Sequence, residues 1–262
     1  MEIEDVINKR LETLISETSN KENVAKLKAK HQEKLHFIPV EYRTLGNLLQ
    51  DLNIKFGNFL EQLVLALIEN EKNCEVLTEI CEKKNNKFKI SASVDALIDS
   101  YITKCQSEEV NCQIELPRLL EKISASNETA TIETKHDVDI LFKQKDTDTY
   151  FYIELKYNDD HDSGKLVDIN RKLLKTYAYL TKKLNIKNYD KLVPILFYFN
   201  NQRRIGNIYL PENVNVMRGK QFFEKFLSCD YAEVASCLEN IAQNKKTLKL
   251  FHKLNKKITG IK

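Results

Sequence analysis

Residues 136 to 157 read His-Asp-Val-Asp-Ile-Leu-Phe-Lys-Gln-Lys-Asp-Thr-Asp-Thr-Tyr-Phe-Tyr-Ile-Glu-Leu-Lys-Tyr. Two β-branched and aromatic runs flank a polar segment, Gln144 to Thr149, which predicts a β-hairpin. A hairpin constrains the chain strongly because one turn sets strand direction, register and face together. Side chains alternate along a strand. Asp137, Asp139 and Leu141 therefore share a face of the first strand, and Tyr150, Tyr152, Glu154 and Lys156 a face of the second. A turn centred on Asp146-Thr147 sets Asp139 opposite Glu154, with Cβ atoms about 5 Å apart.

Two opposed carboxylates repel and weaken a purely structural hairpin. A divalent cation between them removes that penalty, and Mg²⁺ suits a pair of carboxylates that leaves its other positions to water and phosphate. Lys156, on the face of Glu154, adds a positive charge where a hydroxide or a phosphorane would need one. Asp137 rivals Asp139: it shares the face, stands opposite Lys156 in this register, and a turn shifted by one residue moves the pairing by two. The plain alternative is a solvated, charged hairpin face.

Asp139 followed by Glu154-Leu155-Lys156 at the end of the next strand resembles the core of the PD-(D/E)xK nucleases, and within them the type II restriction endonucleases. Val138 stands where the family name has proline, a departure that makes the short motif less specific. The resemblance implies an α/β fold with a restriction-endonuclease-like core, a mixed β-sheet flanked by helices, and additional helices at both termini. It implies Mg²⁺-dependent hydrolysis of phosphodiester bonds in double-stranded DNA at a short site, leaving 5′-phosphates. Element order and length look close to a member that recognises GANTC. Asp139 and Glu154 would then hold the metal with the Leu155 carbonyl, and Lys156 would orient or activate water. A glutamate on the helix before the core sheet often points into such sites, which makes Glu61 a further candidate; the other reading is that Glu61 and Gln62 form the polar stripe of a buried helix. Cutting both strands of a symmetric site implies a homodimer.

Other stretches supply the setting. Leu166 to Leu184 carries apolar residues at spacings of three and four, an amphipathic helix, and Leu192 to Phe199 reads as a buried strand. Strand, long helix and strand make a crossover, so the second strand runs parallel to the first. Asn201, Gln202, Arg203 and Arg204 follow it. Arg pairs bidentately with guanine and Asn or Gln with adenine, so these residues are candidates for base-edge contacts, or else a polar turn. Lys165 in the polar loop past Lys156, and Arg171 and Lys172 off the apolar stripe of the long helix, are candidates for DNA phosphates. Gly164-Lys165 is no phosphate loop, since the earlier glycine is missing and Leu166 replaces the Ser or Thr.

Helices are also expected over 1–17, 21–36 (ended by Pro39), 45–71, 94–104, 116–124 with Pro117 in its first turn, 230–243, a helix opening at Arg218, and a basic tail. Short strands are expected over 207–210 and 214–217. The organisation expected is an N-terminal helical region, 1–44, and a nuclease core with the basic C-terminal helix, 45–262, or else a single domain overall.

Composition excludes several classes. With 42% hydrophobic and 30% charged residues the chain is ordered and globular. A net charge of +3 permits nucleic-acid binding without demanding it. Six cysteines at wide spacings, with no CxxC, argue against zinc and for reduced thiols in the cytoplasm. The longest apolar run, Leu63 to Ile68, is too short to span a membrane. Two rival functions remain open: a structure-selective repair or junction nuclease, and a DNA-binding protein without catalysis.

Overall fold

The computed structural model describes residues 3–29, 35–81, 86–203 and 206–259. Its elements run α1 (Ile3–Ser19), α2 (Lys21–Ala29), α3 (Val40–Glu69), β1 (Cys74–Val76), a single turn α4 (Thr78–Cys81), β2 (Lys87–Ile90), α5 (Ala92–Ser107), α6 (Cys112–Ala125), β3 (Ile132–Lys135), β4 (Ile140–Gln144), β5 (Thr149–Lys156), α7 (Ser163–Lys183), β6 (Leu192–Tyr198), β7 (Val216–Arg218), α8 (Gly219–Phe226), α9 (Tyr231–Gln243) and α10 (Lys245–Thr259). They form two compact units: residues 64–228, and residues 1–63 together with 229–262. The division expected from sequence, after residue 44, differs from this one.

The 64–228 unit is built on a five-stranded sheet of order β1-β4-β5-β6-β7. The hairpin forms in the expected register, Gln144 opposite Thr149 and Ile140 opposite Ile153. Its turn closes with Asp148 at φ 51, a left-handed conformation that Asp tolerates better than most residues. β1 pairs antiparallel with β4, while β5, β6 and β7 are mutually parallel. The mixed α/β sheet flanked by helices is thus the architecture expected.

Alternation divides the core between the sheet's two faces. Leu141, Tyr152, Leu196 and Tyr198 join buried residues of α5, α6 and α7. On the other face Phe142 and Phe151 meet Phe226 of α8 edge-on, and Phe197 stacks on Phe222 at 4.0 Å. Such aromatic pairs add about 1 kcal/mol each beyond the area they bury.

Local chemistry sets the helix ends. The Asp162 carboxylate accepts the Lys165 N–H at 2.9 Å and caps α7. At the other end Asn185 is left-handed at φ 54. The Ile186 N–H then reaches the Thr181 carbonyl and the Asn185 N–H reaches Lys182, a Schellman closure.

Several expectations need correcting. Residues 207–210 form bends rather than a strand, because the Asn207 side chain accepts the N–H groups of Tyr209 and Leu210 and curls the backbone. α6 starts at Cys112, not Leu116, because Asn111 caps it through the Gln113 N–H; Pro117 therefore lies inside the helix. Leu35 and His36 are not helical, the His36 ring accepting the Ile38 N–H in a local turn. α3 is not buried all round, since Leu49 and Ile54 are exposed. β1, β2 and β3 were not foreseen; β2 and β3 form a separate antiparallel ribbon.

In the helical unit α1 packs with α2, α9 and α10. Leu27, Leu48 and Leu254 form a small core joined by Leu45, Leu52 and Phe251. Asp51 pairs with Lys55 at 2.9 Å and accepts from Asn23 at 3.1 Å. No described helix is long and apolar enough to cross a membrane.

Candidate active site

β5 is an interior strand, paired with β6 from Tyr150 to Lys156 and with β4 as far as Ile153. Glu154, near its end, is 3% exposed. A carboxylate there is costly unless it is paired and hydrogen-bonded. Three groups supply what burial requires. His136 Nε2 lies 2.9 Å and the donating Tyr152 hydroxyl 2.9 Å from Oε2, while Lys156 Nζ donates to Oε1 at 2.7 Å. Burial alone would raise the Glu154 pKa, but the Lys156 ammonium and His136 outweigh it and bring it down to about 2. Burial likewise works against a protonated His136, and its bond to Glu154 outweighs that, so the ring's pKa is raised.

Asp139 stands one residue before β4, across the hairpin from Glu154. Its Oδ2 accepts the Leu155 N–H at 2.9 Å and lies 3.6 Å from Lys156 Nζ. Lys156 also donates to the Leu155 carbonyl at 2.8 Å. Asp139, Glu154, Leu155 O and Lys156 thus converge at the end of β5. Asp137, the rival, accepts the Asn86 N–H at 2.9 Å, beside the start of β2. Among the described residues no three His, Cys, Asp or Glu side chains gather as a metal cage. The donors here are two carboxylates and a carbonyl, hard oxygen ligands that leave room for water, as Mg²⁺ prefers.

The segment after β6 leaves the sheet beside the same point. The Phe199 N–H donates to the Lys156 carbonyl at 2.8 Å and Asn200 N–H to Tyr157 at 2.7 Å. Asn201, Gln202 and Arg203 follow, all exposed; the Asn201 side-chain oxygen Oδ1 accepts the Lys220 N–H at the start of α8. Arg204 lies outside the described residues. Arg203 folds back toward Gly206, which has φ 88; a Cβ on that glycine would sit 2.7 Å from the guanidinium.

Beyond the loop is a buried ion network. Arg218 donates to Asp159 at 2.9 Å and to Glu212 at 2.5 Å, with its guanidinium 5.5 Å from the centre of the Tyr198 ring. Asp159 also accepts the Gly206 N–H at 3.4 Å, and Glu212 the Asn207 N–H at 2.9 Å. The network therefore anchors the far end of the 199–207 loop.

Lys165 and Lys172 are exposed on α7. Arg171 is held by Asp99 of α5 at 2.8 Å. Glu61 lies partly exposed on the part of α3 that belongs to the helical unit.

Sequence reasoning assigned no role to His136 or Tyr152. Alternation already placed Tyr152 on the face of Glu154, so its hydroxyl was within reach of inference. His136 precedes β4 in irregular backbone, where no period predicts direction. The Arg218 network was invisible for another reason: Asp159, which completes it, lies 59 residues from Arg218.

Comparison with known proteins gives this geometry its context. The family model for type II restriction endonuclease HinfI matches residues 1–242. The type II restriction enzyme HinfI of Haemophilus influenzae is 44% identical over 262 residues, spanning 100% of this chain and 99% of that protein. No solved structure matches. With the match covering nearly the whole chain, and carboxylates and lysine gathered at the end of an interior strand, the chain belongs to the HinfI family of type II restriction endonucleases and is a site-specific deoxyribonuclease.

Proposed function

We propose that Asp139, Glu154 and the Leu155 carbonyl hold one Mg²⁺ and that Lys156 completes the catalytic centre. The observation that carries this reading is their convergence: Lys156 Nζ lies 2.7 Å from Glu154 and 3.6 Å from Asp139. Type II restriction endonucleases generally use a divalent metal. When bound, Mg²⁺ supplies Lewis-acid activation of the scissile phosphate and acidification of water. His136 and Tyr152 fix Glu154, so the carboxylate keeps one orientation through the reaction. Lys156 orients the attacking water and offsets charge developing on the phosphate. Water attacks phosphorus in line and the 3′-oxygen leaves, so one product keeps a 5′-phosphate and the other a 3′-hydroxyl. Asp139 is preferred to Asp137 because its Oδ2 lies 3.6 Å from Lys156 Nζ, whereas the Asp137 carboxylate turns to the Asn86 N–H at the start of β2. By family resemblance Glu61 is a candidate for a further acid.

Asn201, Gln202 and Arg203 contact base edges, because their segment departs beside Lys156; Arg204 joins them on the sequence pattern alone. Lys165 and Lys172 bear on phosphates; Arg171 does so on exchanging Asp99 for DNA. The site is GANTC, carried by the resemblance. A homodimer cuts the two strands, since two-fold DNA calls for two-fold protein. The enzyme acts in the cytoplasm, consistent with six cysteines free of disulfides.

The direct test is unmethylated plasmid incubated with Mg²⁺ or EDTA, followed by mapping of the ends. Discrete Mg²⁺-dependent fragments ending at GANTC are expected. A smear or nicks would favour a structure-selective nuclease instead. Intact DNA with every divalent metal would overturn catalysis on linear duplex.

Gly206→Ala tests the loop separately. The left-handed backbone there costs an alanine roughly 1–2 kcal/mol, and the new Cβ displaces the Arg203 guanidinium. DNA affinity measured by filter binding should fall about tenfold, the effect of one good base contact. Unchanged affinity would remove the loop from the DNA interface.

A further inference from the structure

We propose that, without metal, the Lys156 ammonium occupies the cation seat of its own active site, and that a divalent ion enters only by displacing it. The inference rests on the reading that Asp139 and Glu154 hold the metal. Lys156 Nζ lies 2.7 Å from Glu154 Oε1, 2.8 Å from the Leu155 carbonyl oxygen and 3.6 Å from Asp139 Oδ2. These oxygens belong to the same three groups assigned to Mg²⁺. An ammonium has three donors and no acceptor, so this seat satisfies it as a small cation. Mg²⁺ binds oxygen at about 2.1 Å, so the two cations cannot share the oxygens.

The carboxylate cannot follow the lysine out. His136 and Tyr152 hold Glu154 Oε2, both at 2.9 Å, so the exchange takes place on a fixed anion. Lys156 can move. It is the last residue of β5, its side chain is 26% exposed, and its four-carbon stem is flexible. Displaced, the ammonium turns toward solvent, where an incoming phosphate would receive it. One event thereby loads the metal and presents the lysine. It also keeps metal affinity low until DNA supplies a second partner for Lys156.

The test uses the full-length protein without DNA and Mn²⁺ alone, by isothermal titration calorimetry. Lys156→Met should bind Mn²⁺ about tenfold tighter than wild type, since a seat occupied most of the time lowers apparent affinity by the fraction that is free. Asp139→Asn should lose binding. A second readout needs no variant: brief labelling with an amine-reactive acetylating reagent, quantified residue by residue by mass spectrometry. Mn²⁺ should raise labelling of wild-type Lys156 relative to the remaining lysines. Equal Mn²⁺ affinity of Lys156→Met and wild type overturns displacement. So does tighter binding without a rise in labelling, which is mere charge repulsion; loss of binding in Asp139→Asn would still leave the metal assignment standing. If Asp139→Asn binds Mn²⁺ like wild type, the metal assignment itself fails.

Discussion

Asp139→Asn should lower kcat by about 10²- to 10³-fold, the loss seen when one preorganised electrostatic group is taken from an active site. The variant should stay folded. Asparagine keeps an oxygen that can accept the Leu155 N–H, the bond Asp139 makes at 2.9 Å. What it loses is the negative charge that a metal requires beside Glu154. Asp137→Asn is the control. Its acceptor for the Asn86 N–H also survives, and it should cleave within a few-fold of wild type while costing under about 1 kcal/mol of stability. Plasmid cleavage at saturating Mg²⁺, with circular dichroism to check folding, separates the two. If Asp137→Asn is the inactive variant, the ligand has been misassigned. Glu154→Gln should be inactive for a second reason as well. Two oxygens now accept from three donors, and an amide nitrogen would face one of them with a donor of its own.

Arg218→Ala should be among the most destabilising single changes in the 64–228 unit. Asp159 is 1% exposed and Arg218 is 6% exposed. Removing one partner of a buried ion pair leaves an uncompensated charge and costs about 3–5 kcal/mol. For a chain of this size that lowers the thermal midpoint by roughly 10 °C. Thermal or urea unfolding checks it. Adding Asp159→Asn to Arg218→Ala should cost much less than the sum of the two single changes, because the second substitution removes the orphaned charge. Strict additivity would mean that the pair contributes nothing as a pair. Activity should fall further than folding explains, since Asp159 and Glu212 also hold the Gly206 and Asn207 N–H groups that end the 199–207 loop.

The hairpin shows why part of this site was legible in the chain. Period-two alternation and a polar turn suffice to fix a two-stranded register, and Gln144 does stand opposite Thr149. From that register follow the facing of Asp139 and Glu154 and the sharing of one face by Tyr152, Glu154 and Lys156. The crossover was legible for a similar reason. An amphipathic helix between two apolar strands leaves the second strand little choice but to run parallel, as β6 does beside β5. Where local patterns were short or broken, reading failed. β1 has three residues and β2 four, too few to display a period. Residues 207–210 are apolar enough for a strand, but the Asn207 side chain redirects their N–H groups.

By itself, then, the sequence determined the short-range geometry: the hairpin, its paired carboxylates, the lysine two residues on, and the crossover that buries them. These depend on neighbours in the chain, and periodicity records neighbours. Only tertiary structure decided which groups gather around these carboxylates. His136 reaches Glu154 from 18 residues away, and Arg218 reaches Asp159 from 59 residues away. It also decided that Asp139 turns to Lys156 while Asp137 turns to Asn86. The physical reason is that burying a charge requires compensation from whatever the fold brings within about 3 Å, and that proximity is a property of packing that no local pattern encodes.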